Sequence, residues 1–227
     1  MKGFQQFLDE GVNDPGIFKA IYLAGGPGAG KSFVADKTLP NAAFGLKVVN
    51  ADIALEFLLK KSGLSSDMLS MSPAELEKFA EKRAKARQLR DIQKKGFING
   101  RLGMILDGTG RDFNKIKRDR AELESFGYDT FMVFVNTSLP VALERNQNRP
   151  RKVDEKIVRD AWSAVQGNIG KFQSLFGASN FVVVDNNNLT EDIIVKTFRV
   201  VKKFVSKPPQ SRLAKQWITN ELNKQKR

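Results

Sequence analysis

The sequence predicts an α/β fold built on a parallel β-sheet, and three observations support this prediction. Short apolar segments recur along the chain, and segments with the apolar spacing of amphipathic helices lie between them. The apolar segments are nearly continuous runs of Val, Ile, Leu and Phe, which is typical of strands buried on both faces of a parallel sheet. A glycine-rich turn follows the first of them. With 227 residues, the chain is long enough for one sizeable core but not for two full domains.

Strands and helices are predicted in alternation. The strands are expected at residues 19–24, 46–50, 103–106, 130–135 and 181–184. A first helix is expected to begin at Ser32, and further helices are expected at 53–60, 73–95, 113–126, 140–148, 154–175 and 193–204. The helix at 73–95 has a clear start, because Ser72 is its N-cap, Pro73 stands in its first position and Glu75 completes a capping box.

The glycine-rich turn, Gly25-Gly26-Pro27-Gly28-Ala29-Gly30-Lys31-Ser32, fits the pattern G-x-x-x-x-G-K-[ST] between a strand and a helix. We call residues 25–32 the glycine loop. Its glycines allow successive N–H groups to point into one concavity, which binds phosphate oxygens. Lys31 can then reach the β- and γ-phosphates, and the Ser32 hydroxyl can hold Mg²⁺. The loop therefore predicts a site for ATP.

Two aspartates follow predicted strands, at the edge of the sheet where ligands bind in open α/β folds. Asp107 ends the apolar run 104–106, a pattern typical of an acid that orients Mg²⁺ near a nucleotide. Alternatively, Asp107 and Gly108 form only a turn. Asp52 follows the second strand, and its position leaves two interpretations equally open: a functional carboxylate, or a cap for the helix that begins at Ile53.

Three arginines, Arg145, Arg149 and Arg151, lie close together in the sequence. A mobile segment that carries arginines can neutralise the charge on a phosphoryl group in transfer and exclude water from it. This interpretation is favoured over the alternative, a solvated basic end of a helix, which would suit the helix dipole.

The composition limits the chemistry. Because the chain contains no His and no Cys, a general base must be a carboxylate, a lysine or a water, and imidazole and thiolate metal sites are excluded. Mg²⁺ held by oxygen atoms is the expected ion. The absence of Cys agrees with a reducing compartment, and no apolar run approaches the roughly 20 residues that span a bilayer. We therefore expect a cytoplasmic protein with no membrane span.

The net charge of +13 and a pI of about 9.9 indicate an acidic partner. Between residues 78 and 95, basic residues far outnumber Glu81 and Asp91: they are Lys78, Lys82, Arg83, Lys85, Arg87, Arg90, Lys94 and Lys95. Such a stripe predicts contact with nucleic acid. An acidic small substrate and a surface that only improves solubility are the alternatives.

One main domain is expected over residues 1–205, with residues 73–95 as a basic helical insertion. Pro208 and Pro209 then interrupt the helical pattern. Residues 206–227 are expected to form a basic helical tail.

Taken together, these residues resemble the zeta-toxin and polynucleotide-kinase type of P-loop kinases. The resemblance covers about residues 17–187, and it is carried by the glycine loop, Asn50-Ala51-Asp52, Leu106-Asp107-Gly108-Thr109 and the arginine segment. It implies a three-layer fold with a parallel five-stranded sheet in the order 2-3-1-4-5 and helices on both faces. It also implies that Asp52 is the base that takes a proton from the substrate hydroxyl.

Together with the basic surface, the resemblance implies an ATP- and Mg²⁺-dependent kinase whose acceptor is a hydroxyl of a nucleic acid or of a nucleotide-like molecule. A more distant similarity is to phage kinases that phosphorylate 5-hydroxymethyluracil in DNA. Many zeta-type proteins carry an arginine three residues after the aspartate, which helps to grip a nucleotide sugar, whereas this chain has Leu55. The alternatives are a kinase of small molecules or nucleotide sugars, and a nucleic-acid-binding protein that ATP switches between conformations.

Overall fold

The computed structural model describes residues 11–39, 44–67, 70–148 and 153–226. Its centre is a sheet of five strands in the order β2-β3-β1-β4-β5, in which every neighbouring pair is parallel. The strands are β1 (Lys19–Ala24), β2 (Lys47–Val49), β3 (Met104–Asp107), β4 (Asp129–Asn136) and β5 (Phe181–Asp185). The predicted fold class and strand order are therefore confirmed.

Helices connect the strands. They are α1 (Lys31–Thr38), α2 (Ala51–Ser62), α3 (Pro73–Asn99), α4 (Phe113–Ser125), α5 (Leu139–Gln147), α6 (Glu155–Gln166), α7 (Ile169–Phe176), α8 (Glu191–Val205) and α9 (Arg212–Gln225). None of the helices in the part of the chain that the structure describes is long and apolar enough to cross a membrane.

Both faces of the sheet are covered. Alternate residues of β1 belong to two different clusters of the core: Tyr22 belongs to the cluster that includes residues of α4, α6, α7 and α9, whereas Ile21 belongs to the cluster that includes residues of α1 and α8. Every residue of β1 is buried, so the strand needs an apolar side chain on each face. This arrangement explains why the strands appear in the sequence as continuous apolar runs.

The prediction of one helix over residues 154–175 is wrong, because α6 ends at Gln166 and α7 begins at Ile169. The buried Asn168 lies between them, and its side-chain amide donates to the carbonyls of Gly110 and Arg111 at 3.0 and 2.9 Å. The apolar periodicity continues through this break, because both helices pack on the same face of the sheet.

The long helix α3 begins with the predicted capping box, in which Ser72 and Glu75 exchange hydrogen bonds. It packs on α2 through a small separate cluster that contains Leu55, Leu59, Phe79 and Ala86. Only three of its described side chains are buried, so most of its length is exposed to solvent.

The C-terminal helix α9 packs against the core. Ala214 is buried, and the ring of Trp217 meets that of Phe18 edge-on, with the centroids 5.6 Å apart. Phe18 and Arg101 both have a positive φ, at 55° and 59°, which is uncommon for residues other than glycine. The Phe18 N–H donates to the Arg101 carbonyl at 3.0 Å, so α9 covers a constrained junction at the start of β1.

Candidate active site

The glycine loop lies at the carboxyl edge of β1. Gly28 and Gly30 have φ values of +75° and +77°, in the left-handed region that favours glycine. A Cβ atom at Gly28 would collide with the carbonyl of Ala142 in α5. Both conformation and close packing therefore require glycine at this position.

Neighbouring groups hold the loop in place. The Gly25 N–H donates to the Thr109 carbonyl at 3.2 Å, and the Ala29 N–H donates to the Gly26 carbonyl at 3.1 Å. The Lys31 ammonium donates to the Gly25 carbonyl at 2.9 Å and so lies across the loop. The loop ends at the N-terminus of α1, where the helix dipole favours an anion.

A cleft of about 600 Å³ between α1 and α2 brings the predicted residues together. Lys31 and Ser32 line it from the glycine loop, Asp52 from α2 and Asp107 from the end of β3. These four residues come from three separate parts of the sequence.

The interpretation of Asp52 as a helix cap is wrong. Asn50 is the N-cap of α2, and its side-chain oxygen accepts a hydrogen bond from the Asp52 N–H at 2.7 Å. The amide nitrogen of Asn50 donates to the Asp107 carboxylate at 2.7 Å. Asn50 therefore connects the two aspartates of the cleft, a task that we did not assign to it from the sequence.

Only one of the two carboxyl oxygens of Asp107 has a hydrogen-bond partner among the described residues. One oxygen accepts the bond from Asn50, while Oδ1 is buried and has no hydrogen-bond partner among the described residues. Burial raises the pKa of Asp107, and the negative charge of Asp52 acts in the same direction, whereas Lys31 opposes both.

These residues fit a magnesium ion that is carried by a nucleotide. The described ranges contain no group of three or more acidic side chains that could hold a metal by themselves. Mg²⁺ usually has one or two protein ligands besides phosphate oxygens and water. Ser32 and Asp107, which line the same cleft, can supply a hydroxyl and a carboxylate oxygen of this kind.

Of the three predicted arginines, the structure describes Arg145, and Arg149 and Arg151 lie outside the described residues. Arg145 Nη2 donates to the carbonyl of Asn186 at 2.8 Å. Its Nη1 is buried, has no hydrogen-bond partner in the described part of the chain, and lies 3.5 Å from the position that a Cβ of Gly30 would take. Arg145 therefore borders the glycine loop.

Asn186 is a residue of the site that sequence reasoning missed. Its side-chain nitrogen donates to the Ala29 carbonyl of the glycine loop at 2.7 Å. The available signal was its position directly after β5, because polar residues that follow parallel strands gather at the same edge of the sheet.

The basic side chains of α3 lie mainly on the exposed surface, and Lys82, Arg90 and Lys94 are half-buried. Arg90 and Lys94 border a second cavity of about 320 Å³, which reaches Asp107, Gly108 and Thr109. Both of these cations have acidic partners: Arg90 lies 2.7 Å from Asp91, and Lys94 lies 3.0 Å from Glu122. This cavity therefore carries mixed charge.

The family model of an AAA domain, AAA_33, matches residues 21–172, which is more than half of the chain. A search of curated protein sequences finds no significant match.

Several solved structures share the fold. A candidate kinase from Chloroflexus aurantiacus has a TM-score of 0.52 and 14% identity, over 82% of this chain and 96% of its own. A chain of the PezAT toxin–antitoxin system of Streptococcus pneumoniae has a TM-score of 0.54 and 14% identity, over 89% of this chain and 86% of its own. A chain of the AvrRxo1-ORF1:-ORF2 complex with ATP has a TM-score of 0.55 and 15% identity, over 80% of this chain and 61% of its own. The present chain thus spans less than two thirds of that last protein, and the shared feature is the P-loop kinase fold.

Proposed function

Because the chain belongs to the AAA domain family and has the P-loop kinase fold, we propose that it transfers the γ-phosphate of ATP to a hydroxyl group of a nucleic acid or nucleotide-like acceptor. The observation that carries the proposal is the meeting of Lys31, Ser32, Asp52 and Asp107 in one cleft beside the glycine loop. Phosphoryl transfer needs a phosphate cradle, a cation and a base within reach of each other, and these residue types can supply them.

In the proposed reaction, the N–H groups of residues 25–32 and the start of α1 bind the phosphates. The Lys31 ammonium leaves the Gly25 carbonyl for the β- and γ-phosphates, an exchange of one acceptor for a more strongly charged one. Ser32 and Asp107 would hold Mg²⁺, which would neutralise charge on the phosphates.

Asp52 is proposed as the general base. It stands in the first turn of α2 on the wall of the cleft, and the N-cap position is filled by Asn50. Its carboxylate would accept the proton of the acceptor hydroxyl as the oxygen attacks the γ-phosphorus and the bond to the ADP oxygen breaks.

Arg145, together with Arg149 and Arg151, is proposed to stabilise the phosphoryl group in transfer. Arg145 supports this role best, because its uncompensated Nη1 lies beside Gly30. A guanidinium held near the loop adds positive charge where negative charge spreads over the equatorial oxygens.

The nature of the acceptor is proposed from charge and shape. The exposed cations of α3 extend to Arg90 and Lys94, which border the cavity next to Asp107. A strand bound along α3 would therefore reach the catalytic cleft. Leu55 is 2% exposed and packs against α3, so this position offers no group to grip a nucleotide sugar.

A kinase of small molecules is the second candidate. The cavity of about 320 Å³ is large enough for one sugar or nucleoside, and its paired acidic and basic side chains suit a neutral acceptor with several hydroxyl groups. A nucleic acid would bind the exposed cations of α3, whereas a small acceptor would bind inside this cavity.

Incubation with γ-labelled ATP, Mg²⁺ and separate pools of DNA, RNA, nucleosides and nucleotide sugars tests the proposal. We expect label in a nucleic acid or nucleoside pool, and ~10³-fold slower labelling with the Lys31→Ala protein. Label only in the nucleotide sugars would favour the second candidate. ATP binding without transfer to any pool would favour a nucleotide-switched binding protein.

A further inference from the structure

The peptide group between Ala29 and Gly30 is hydrogen-bonded to a side chain that is distant in the sequence. The Ala29 carbonyl accepts its hydrogen bond from the side-chain nitrogen of Asn186, 157 positions later in the chain. Asn186 is 2% exposed, and a Cβ atom on Gly30 would collide with its amide nitrogen. Asn186 thus lies directly against the glycine loop.

Asn186 is itself held from two other directions. Its N–H donates to the carbonyl of Asn136, the last residue of β4, at 2.8 Å. Its carbonyl accepts from Arg145 Nη2 at 2.8 Å. The two backbone bonds fix the position of the residue, so its side chain presents the amide at a defined place.

The orientation of this peptide decides whether an N–H group or a carbonyl oxygen faces a bound phosphate. The C=O and N–H of a trans peptide point in opposite directions. With the Ala29 carbonyl turned to Asn186, the Gly30 N–H points away from it. A rotation of the peptide would turn a carbonyl oxygen towards bound phosphates, and glycine at position 30 would resist this rotation little, since it populates φ values of either sign.

We propose that Asn186 is a positioning residue that prevents this rotation and so keeps the glycine loop in its phosphate-binding form. The same residue fixes Arg145 through its carbonyl, which links the loop and the arginine in one network. The proposal rests on the proposed function in one respect, namely that the loop binds the phosphates of ATP.

Two substitutions test it. Asn186→Ala removes the amide and leaves the backbone bonds, and the loss of one hydrogen bond predicts a dissociation constant for ATP that is ~10-fold higher. Asn186→Asp keeps the shape but places a carboxylate oxygen against the Ala29 carbonyl, and we expect a larger rise. Asn188→Asp adds the same charge at an exposed site two residues away and is the matched control.

The readouts separate positioning from general support of the fold. Both Asn186 variants should lose affinity for tripolyphosphate by the same factor as for ATP, because both ligands bind through the loop. The KM for the acceptor should not change. If both variants bound ATP as the parent does, or lost affinity for ATP but not for tripolyphosphate, the assignment of Asn186 would be wrong. A parent protein that binds neither ligand would instead refute the proposed function, and with it this inference.

Discussion

The two edges of the central sheet differ in how their buried charged side chains are paired. At the amino edge, Lys19 is 1% exposed, lies 2.7 Å from the carboxylate of Asp129 and stands over the ring of Phe204. At the carboxyl edge, Asp107 Oδ1 and Arg145 Nη1 are buried without hydrogen-bond partners among the described residues. Such atoms destabilise a folded protein. The two atoms at the carboxyl edge lie where we propose that a ligand binds, whereas the pair of Lys19 and Asp129 contributes to stability. The amino edge is not free of such atoms, because Arg101 Nε is also buried without a partner among the described residues.

The largest effect is expected at the carboxyl edge. Asp52→Asn keeps the size of the side chain but cannot accept a proton, so the turnover should fall by ~10²–10⁴-fold. Because Asn50 caps α2, the thermal unfolding midpoint should stay close to that of the parent. Turnover near that of the parent in a γ-phosphate transfer assay would exclude Asp52 as the base.

Lys31→Ala should lower phosphoryl transfer by ~10³-fold, because it removes the positive charge that faces the transferring phosphate. Its hydrogen bond to the Gly25 carbonyl is local, so unfolding by urea should change little. A protein with a normal rate of transfer would contradict the catalytic role of the loop. Lys37→Ala in the last turn of α1 is the control for loss of a lysine.

At the amino edge the expected effect is on stability alone. Lys19→Met leaves the Asp129 carboxylate without its buried partner and should lower the free energy of unfolding by about 3 kcal/mol. ATP affinity, measured where the variant is fully folded, should not change. The double variant with Asp129→Leu should regain part of the stability, since both charges are then absent. An unchanged urea midpoint in the single variant would contradict this account of the amino edge.

A smaller effect is expected on the exposed face of α3. Each phosphate contact that is lost should make the slope of the logarithm of the nucleic-acid binding constant against the logarithm of the salt concentration shallower by ~0.7–0.9. The variant Arg87→Glu/Lys95→Glu should weaken binding of oligonucleotides without weakening that of ATP. Lys202→Glu on α8 is the control for charge. No binding by the parent even at low salt would remove nucleic acid from the proposed acceptors.

The smallest effect concerns Asp107 and pH. Its pKa is raised in the folded protein, so folding favours the protonated form. The contribution of this carboxyl group to stability is present below the pKa of the unfolded chain and is lost as the pH rises through the folded pKa. Asp107→Asn should therefore gain stability relative to the parent as the pH rises towards neutrality. Urea unfolding at acidic and neutral pH tests this, and a difference independent of pH would contradict it.

Local patterns were sufficient for much of the fold. The apolar runs predicted all five strands within one or two residues, and the capping box predicted the start of α3. The order of the strands came from the resemblance, not from periodicity. The break at Asn168 was not predictable from periodicity, because that pattern records which face is buried and not the tertiary bonds of a polar residue.

The sequence by itself was sufficient to identify the glycine loop. Gly28 and Gly30 have a positive φ and closely packed neighbours, so only glycine suits these positions, and the requirement is visible as a sequence motif. The sequence also indicated Asp52 and Asp107 through their places after strands. Only the tertiary structure decided that Asn50 caps α2 and that Asn186 holds the Ala29 carbonyl. An asparagine can cap, turn or bind in many settings, and its role depends on the partner that folding brings to it, here from 157 residues away.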